Sequence, residues 1–250
     1  MQRYFVEREN MTEDIVIVTG EDVKHITKVM RMNIGDDIIC SNNQSRTVRC
    51  QLVEYSDTEV RARVIEELMP NTELPIKVTI AQGLPKGDKL ELIIQKGTEL
   101  GAKSFIPFAA ARSIVKWDQK KSHKKIERLE KIAKEAAEQS YREQIPTISD
   151  VKSLHHLINH SLSYDAIIVA YEEAAKNDEQ SKFVQTLNGL TTGQSILVII
   201  GPEGGLTSEE ITYLKEQGAT ICGFGPRILR TETAALYALS AISYHFELMR

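Results

Sequence analysis

The sequence predicts an α/β protein with two domains, a small β-rich domain at residues 1–70 and a larger domain at residues 71–250. Short candidate strands dominate the first region, whereas strands and helices alternate in the second. Such alternation is typical of a mostly parallel sheet. Between the two regions the segment MPNTELP contains two prolines and polar spacers, which is typical of a linker.

The N-terminal region is predicted to form a small β-barrel. Its last candidate strand alternates Val60, Ala62 and Val64 with arginines, a pattern that buries one face of a strand. A helix is expected at EDVKHITKVMR, between the second and third strands. The five candidate strands are RYFV, DIVIVT, DDIICS, RTVRCQLVEY and EVRARVIEE.

The second region contains strands that are expected to be buried on both faces. Ile196–Ile200 is a short, β-branched run without alternation, as in a covered parallel strand. The helix after it should begin with a capping box, because Glu210 follows Thr207 by three residues, and should end at Gly218. The other candidate strands are KVTIAQGL, SFIPFAA, DAIIVAY and ATICGFG, and a long apolar helix is expected at the C-terminus.

Two of these strands end in turns rich in glycine and proline, IGPEGGLTSEE and GFGPRILRTETAALYAL. In open α/β sheets, ligands bind outside the carboxyl ends of the strands, where glycine leaves the backbone uncovered. Neither turn matches a Walker loop or a dinucleotide-binding fingerprint. A tight turn that simply requires glycine explains the first of them equally well.

Arginines in the second turn suggest what the site recognises. Arg227 and Arg230 have guanidinium groups suited to a phosphate or to the carbonyl oxygens of a pyrimidine. The alternative is that one of them pairs with Glu203 or Glu232 and holds the two loops together.

Composition excludes several classes of protein. The 250-residue chain has a charged N-terminus and no long apolar run, so we expect a soluble, cytoplasmic protein without membrane contact. Its three cysteines lack a Cys-x-x-Cys spacing, and His156 and His160 lack the glutamate of a zinc protease signature, so we expect no metal. The net charge of -4 restricts nucleic-acid contacts to local patches.

One local patch is evident between Lys116 and Lys134, where eight lysines and arginines accompany three acidic residues. Apolar residues recur there at helical spacing, which predicts an amphipathic helix with a cationic exterior. A solvated helix face is the alternative interpretation. The residues expected to contact RNA here and in the N-terminal domain are Arg3, Arg8, Lys24, Lys28, Arg31, Lys120, Lys121, Lys124 and Lys125.

The two glycine-rich motifs, with KGDKLELIIQKGTELGAKSFIPF, ARS and EAAEQSYREQIP, closely resemble the RsmE family of 16S ribosomal RNA uridine N3-methyltransferases in the SPOUT superfamily. QRYFV and HITKVMRMNIGD resemble that family's N-terminal domain, so the resemblance covers essentially the whole chain. It implies a C-terminal SPOUT-type α/β domain with a deep trefoil knot, a PUA-like N-terminal β-barrel and S-adenosylmethionine as cofactor. It also implies a homodimer, with 16S ribosomal RNA of the small ribosomal subunit as substrate.

The resemblance implies the residues of a cofactor pocket, and the implied reaction points to candidate catalytic residues. Methylation of uracil N3 needs a nitrogen that has lost its proton, placed in line with the methyl donor, so positioning and charge stabilisation dominate catalysis. Arg230 is the candidate for stabilising the uridinate, and Glu203 or Glu232 for accepting the proton, directly or through water. The expected cofactor pocket comprises Ala170, Tyr171, Glu172, Ile200, Gly201, Pro202, Glu203, Gly204, Gly205, Phe224, Gly225, Ile228, Leu229 and Arg230.

The sequence is also compatible with two other functions. An enzyme of the same superfamily that modifies another RNA or another atom would carry similar motifs. A non-catalytic RNA-binding protein that keeps the pocket belongs to a different class.

Overall fold

A computed structural model describes residues 1–115, 117, 119–159, 163–173 and 181–249, without the side chains of residues 119–121, 159 and 181. The chain divides into two compact units. The first comprises Met1–Glu73 and Lys134–Ile145, and the second comprises Leu74–Ala133 and Pro146–Arg250. The boundary within the second half of the chain falls inside a helix, since Ala133 and Lys134 are consecutive helical residues.

The first unit contains a five-stranded sheet with the order β1-β3-β4-β5-β2. β1 pairs parallel with β3, and the other pairs are antiparallel. Val60 and Ala62 are buried while the arginines between and after them are exposed, so the predicted alternation is confirmed. The strands are β1 (Gln2–Phe5), β2 (Ile15–Thr19), β3 (Asp37–Ser41), β4 (Thr47–Tyr55) and β5 (Glu59–Leu68), with α1 (Glu21–Lys24) continuing as a π-helical turn at His25–Val29.

The second segment of the first unit, Lys134–Ile145, is held in place by ion pairs of buried and half-buried side chains. Arg142 is buried, and its guanidinium donates to both carboxylate oxygens of Glu73. Lys134 Nζ lies 2.8 Å from a carboxylate oxygen of Asp22 and 2.7 Å from one of Glu138. The predicted linker MPNTELP is therefore anchored at Glu73 within the first unit.

The second unit contains a seven-stranded sheet in which every strand pairing is parallel, with the order β12-β10-β11-β6-β7-β8 and β9 paired to β7. Its strands are β6 (Lys77–Gly83), β7 (Ser104–Ala109), β8 (Thr147–Ile148), β9 (Lys152–Ser153), β10 (Ala166–Ala170), β11 (Ser195–Ile200) and β12 (Thr220–Cys222). The other α-helices among the described residues are α2 (Lys89–Glu99), α3 (Gln119–Gln139), α4 (Leu154–Asn159), α5 (Ser181–Asn188), α6 (Ser208–Glu216) and α7 (Thr231–Ser243).

Local signals in this unit are confirmed. Thr207 and Glu210 form the predicted capping box at the start of α6, and Gly218 follows the end of that helix with a φ of 87°. β11 is buried along its central residues, as its unalternating sequence predicts. Residues 119–134 of the basic segment belong to α3, and α7 continues past Ser243 as a π-helical turn at Tyr244–Leu248.

The sheet order places β10 between β11 and β12. All three strands run parallel, so the segments that follow them lie at one edge of the sheet. The trefoil knot stays a prediction from the family resemblance. Within the described residues, no helix has the length and apolar character needed to cross a membrane.

Candidate active site

A cleft of about 850 Å³ lies at the carboxyl ends of β10, β11 and β12. It is lined by the segments after all three strands, and these include every residue predicted to bind the cofactor. Those residues are Ala170, Tyr171, Glu172, Ile200, Gly201, Pro202, Glu203, Gly204, Gly205, Phe224, Gly225, Ile228, Leu229 and Arg230. The sheet topology thus brings together the side chains and backbone that the sequence motifs indicated.

The turn after β11 needs glycine for structural reasons. A Cβ on Gly201 would lie 3.0 Å from the carbonyl carbon of Gly205, and Gly205 itself has a φ of 68°. The N–H of Gly205 donates to the carbonyl of Pro202 at 2.8 Å, which closes the turn. A side chain at either glycine would crowd or strain this backbone.

A side chain at Gly204 would meet Arg112 rather than the backbone of the turn. A Cβ on Gly204 would lie 3.1 Å from Cβ of Arg112, and Arg112 Nη1 donates to the carbonyl of Gly204 at 3.0 Å. Arg112 comes from the ARS motif after β7 and also lines the cleft. Arg112 therefore supports the glycine-rich turn, and its side chain is exposed at the cleft.

Thr231 connects the two glycine-rich turns. Its hydroxyl donates to the carbonyl of Gly201 at 2.7 Å and lies 2.7 Å from Nε2 of Gln82, which donates to it. Gln82 is fully buried near the end of β6. Thr231 is the first residue of α7, while the capping position belongs to Arg230, whose side chain makes no capping hydrogen bond.

A lysine bridges the two carboxylates that were candidates for the proton acceptor. Lys89 Nζ lies 3.0 Å from Glu203 Oε1 and 3.3 Å from Glu232 Oε2. Glu203 Oε1 also accepts the N–H of Lys86 at 3.0 Å. Lys89 and Glu203 line the cleft, whereas Glu232 lies in the first turn of α7.

This network sets the charge of the groups that form it. The hydrogen bond to Glu203 raises the pKa of Lys89 against partial desolvation, and Glu232 adds to the rise. Burial acts to raise the pKa of Glu203, but hydrogen bonds from Lys86 and Lys89 outweigh it, so that pKa lies below its usual value. Lys89 therefore stays cationic and Glu203 anionic across the neutral range.

The arginines of the second turn are placed differently from the carboxylates. Arg227 and Arg230 are exposed and line the cleft. Within the described part of the chain, neither forms an ion pair, and Glu203 and Glu232 pair with Lys89 instead. The alternative in which an arginine holds these carboxylates is thus wrong for this structure, and both guanidinium groups face solvent at the site.

The third segment of the cleft follows β10. The N–H of Tyr171 donates to the carbonyl of Cys222 at 3.0 Å, which ties this segment to the end of β12. The Tyr171 hydroxyl donates to Glu173 at 3.1 Å, and desolvation together with this carboxylate raises the pKa of the phenol. Glu172 also lines the cleft, and residues 174–180 lie outside the described residues.

The residues predicted to contact RNA in the first unit fall into two groups. Arg8, Lys24, Lys28 and Arg31 are exposed. Arg3 is only 4% exposed, donates from its guanidinium to the carbonyl of Arg142, and lies over the ring of Tyr141. Arg3 thus has a structural role inside the unit, and we remove it from the proposed RNA-contacting set.

The lysines of α3 are partly described. Lys124 and Lys125 are exposed, and Lys125 Nζ lies 4.6 Å from the ring centroid of Trp117. Lys120 and Lys121 belong to α3, but their side chains lie outside the described residues, as do Lys116 and His160. Among the described residues no group of three or more His, Cys, Asp or Glu side chains has the arrangement of a metal site.

Comparison with known proteins identifies the family. A family model described as an RNA methyltransferase domain matches residues 72–243, and a model described as an RNA methyltransferase PUA domain matches residues 18–65. The Ribosomal RNA small subunit methyltransferase E of Bacillus subtilis is 56% identical over 253 residues, covering 100% of this chain and 99% of the relative. The chain belongs to the ribosomal RNA small subunit methyltransferase E family.

Solved structures agree with this family. The crystal structure of a hypothetical protein is 54% identical, has a TM-score of 0.92 and matches 100% of both chains. A Legionella pneumophila protein in complex with the bound cofactor SAM is 28% identical, with a TM-score of 0.81 over 96% of each chain. Both the N-terminal sheet and the C-terminal parallel sheet of the family are therefore confirmed in this chain.

Several residues of the site were not identified from the sequence. Lys89 and Arg112 lie in the KGDKLE and ARS motifs, but the motifs alone assign neither of them a role. Gln82 and Thr231 link the turns through hydrogen bonds between positions far apart in the sequence.

Proposed function

We propose that this protein transfers the methyl group of S-adenosylmethionine (SAM) to N3 of a uridine in 16S ribosomal RNA of the small ribosomal subunit. The observation that carries this proposal is the meeting of both glycine-rich turns and the Tyr171 segment in one cleft of an rRNA methyltransferase family member. SAM supplies an electrophilic methyl group to a nucleophile, so the protein must bind, orient and stabilise charge.

The cleft has the properties that a nucleoside cofactor needs. Its volume of about 850 Å³ is in the range of small-molecule sites. Much of its wall is glycine-rich backbone, and backbone amides and carbonyls can recognise adenine and ribose edges by hydrogen bonding. We propose that the cofactor is held by the segments 170–172, 200–205 and 224–230, without a metal ion.

Arg230 is the proposed catalytic residue. A guanidinium remains protonated at any physiological pH and can donate two hydrogen bonds to one planar group. At a uracil carbonyl oxygen it would favour the uridinate over the neutral base, which makes N3 nucleophilic. Its exposure at the cleft leaves this charge available to a substrate that enters from solvent.

Glu203 and Glu232 are weak candidates for the general base that accepts the proton from uracil N3. Both pair with Lys89. The hydrogen bonds from Lys86 and Lys89 hold the pKa of Glu203 below its usual value, which makes it a poorer base. We therefore propose that the proton leaves through water to bulk solvent, and that the network of Lys89, Glu203 and Glu232 positions the loops. The Glu203→Gln variant distinguishes these roles. If Glu203 were the base, this variant would lose methylation activity. If Glu203 only positions the loops, the glutamine oxygen still accepts hydrogen bonds and activity is kept.

RNA binding is proposed to involve both domains, 1–70 and 71–250. Arg8, Lys24, Lys28 and Arg31 are exposed in the first, and Lys120, Lys121, Lys124 and Lys125 belong to α3. Phosphate contacts of this type orient the substrate without identifying the base. With ribosomal RNA as substrate, we place the reaction in the cytoplasm.

A homodimer is proposed through the C-terminal helix. One face of α7 packs against the protein interior, and its residues Ala235, Ala238, Leu239 and Ile242 are buried. Tyr237, Tyr244 and Leu248 are exposed at spacings of seven and four residues, which places them on one helical face. We propose that a second copy of the chain covers this face by two-fold symmetry.

Nucleoside analysis of 16S ribosomal RNA from a strain that lacks the encoding gene tests the activity in the cell. We expect loss of 3-methyluridine, restoration by the wild-type gene and no restoration by the Arg230→Ala variant. Unchanged 3-methyluridine in the deletion strain would overturn the proposal. A non-catalytic RNA-binding role would produce that result.

A further inference from the structure

Three exposed apolar side chains lie close together in the sequence of the first unit, just after α1. Val29 is 67% exposed, Met30 is 40% exposed and Ile34 is 63% exposed, and all three fall within six consecutive residues. We refer to these three residues as the 29–34 patch. Single exposed apolar residues are ordinary in proteins, whereas a cluster of them marks an interaction surface.

The backbone holds these side chains outward in a fixed arrangement. The N–H of Met30 donates to the carbonyl of His25 at 2.8 Å, and the N–H of Met32 donates to the carbonyl of Ile26 at 3.0 Å. Met32 packs against the core of the unit, whereas Met30 and Ile34 on either side of it are exposed. The exposure of the 29–34 patch is therefore a feature of ordered structure.

The rest of the loop is also tied down. The N–H of Gly35 donates to the carbonyl of Leu52 in β4 at 2.8 Å, and the N–H of Asn33 donates to Asp36 Oδ2 at 2.7 Å. Arg31 adopts a φ of 51°, an uncommon conformation for a residue with a side chain. Such a conformation persists only where the surrounding structure imposes it.

Cations flank the apolar residues. Lys24, Lys28 and Arg31 are exposed, and within the described ranges none of them forms an ion pair with a carboxylate. The neighbouring Asp22 pairs instead with Lys134. The surface around the 29–34 patch thus offers positive charge together with apolar area, which suits a polyanion that also exposes apolar faces.

We propose that the 29–34 patch packs against unstacked bases of the substrate RNA, while Lys24, Lys28 and Arg31 contact the adjoining phosphates. The inference rests on the proposed function and specifies the structure of the RNA that it recognises. Apolar side chains can insert against base faces. An A-form duplex hides its base faces and offers phosphates and 2′-hydroxyls, so apolar side chains would gain little there. The preferred ligand is therefore RNA with unpaired nucleotides.

Binding to two RNA probes tests this inference. The probes are a hairpin with an unpaired loop and a fully paired duplex of the same length, and the variant is Val29→Ser with Ile34→Ser. We expect the wild type to prefer the hairpin, and the variant to bind the hairpin about tenfold more weakly, because two aliphatic side chains no longer remove apolar base surface from water. The salt dependence of binding should not change, because both substitutions leave the phosphate-binding cations in place.

Two matched variants complete the experiment. Ile65→Ser removes an exposed apolar side chain from β5 of the same unit and should leave RNA affinity unchanged. Lys28→Gln with Arg31→Gln should reduce the slope of log affinity against log salt by about 0.7 for each phosphate that is no longer neutralised on single-stranded RNA. The apolar and the charged variants are thus separated by their salt dependence.

The outcomes separate this inference from the proposed function. Equal affinity of the apolar variant and the wild type for the hairpin would overturn the inference while methylation of ribosomal RNA remained intact. Loss of self-association in the apolar variant would identify the 29–34 patch as a contact between copies and would also overturn it. Absence of methylation by the wild type would instead contradict the proposed function.

Discussion

At the scale of single residues, the Lys89 ammonium pairs with Glu203 and Glu232 beside the cleft. Replacement by methionine removes the cation that helps to keep the pKa of Glu203 low. In the wild type, Glu203 stays ionised at pH values below the usual pKa of a glutamate. Its stabilising interactions are lost as pH falls through that lowered pKa. In Lys89→Met we expect this loss to begin at higher pH.

The pH dependence of SAM binding and of turnover measures this effect. Lys89→Arg should restore most of the wild-type profile, since it restores the charge. Lys96→Met is the matched control, because Lys96 lies on the same helix and pairs with Glu99 outside the cleft. Identical profiles for Lys89→Met and the wild type would show that the bridge has no influence on the site.

Arg230 gives the most direct prediction about chemistry. Loss of a group that stabilises developing negative charge typically lowers kcat by about 10²–10³-fold. We expect Arg230→Ala to lose turnover on this scale while the Kd for SAM changes little, and Arg230→Lys to recover part of the rate. Arg227→Ala is the control from the same exposed turn, and equal losses of SAM affinity and turnover in Arg230→Ala would indicate a structural role.

Much of the cleft was predictable at this scale, and part of it was not. The turn at Gly201–Gly205 is recognisable because glycine after a buried strand is a local signal. The role of Lys89 was hidden because its partners lie more than a hundred positions away in the sequence. The prediction for Arg3 was wrong for the same reason, since only the fold brings it to the carbonyl of Arg142.

At the scale of elements, the junction of β6, β11 and α7 depends on the Thr231 hydroxyl. Thr231→Val keeps the side-chain shape but leaves the carbonyl of Gly201 and the amide of Gln82 without this partner. Gln82 Nε2 can still donate to the carbonyls of Gly83 and Gly201, so the variant loses two hydrogen bonds, together worth about 1–3 kcal/mol. We expect Thr231→Val to lower the free energy of unfolding by that amount and to weaken SAM binding.

Urea denaturation and calorimetry check this prediction. Thr233→Val is the matched control, because Thr233 lies on α7 with an exposed side chain. If the two variants had the same stability and SAM affinity, the hydrogen bonds of Thr231 would not hold the turns in place.

The elements themselves were mostly predictable, whereas their order in the sheet was not. Strands and the capping box at Thr207 follow from local sequence patterns, and the structure confirms them. The position of β10 between β11 and β12 depends on contacts between distant segments. The Lys134–Ile145 segment of the first unit also lacked a local signal, because buried charges such as Arg142 hold it there.

At the scale of the whole molecule, the exposed face of α7 and its continuation predicts a homodimer. Glutamate in place of Tyr244 and Leu248 would put charge into the proposed interface without touching the buried face of the helix. Sedimentation should show a dimer for the wild type and a monomer for this double variant. A wild-type monomer at micromolar concentration would contradict the proposed assembly.

The proposed reaction is the methylation of N3 of a uridine in 16S ribosomal RNA by this chain, with SAM as donor. Small ribosomal subunits from the deletion strain, incubated with purified protein and methyl-labelled SAM, allow the most direct measurement of this reaction. Nucleoside mass spectrometry should find the label in 3-methyluridine of 16S ribosomal RNA, and should find none with the Arg230→Ala variant. Label in a different nucleoside, or no label with the wild-type protein, would contradict the proposal.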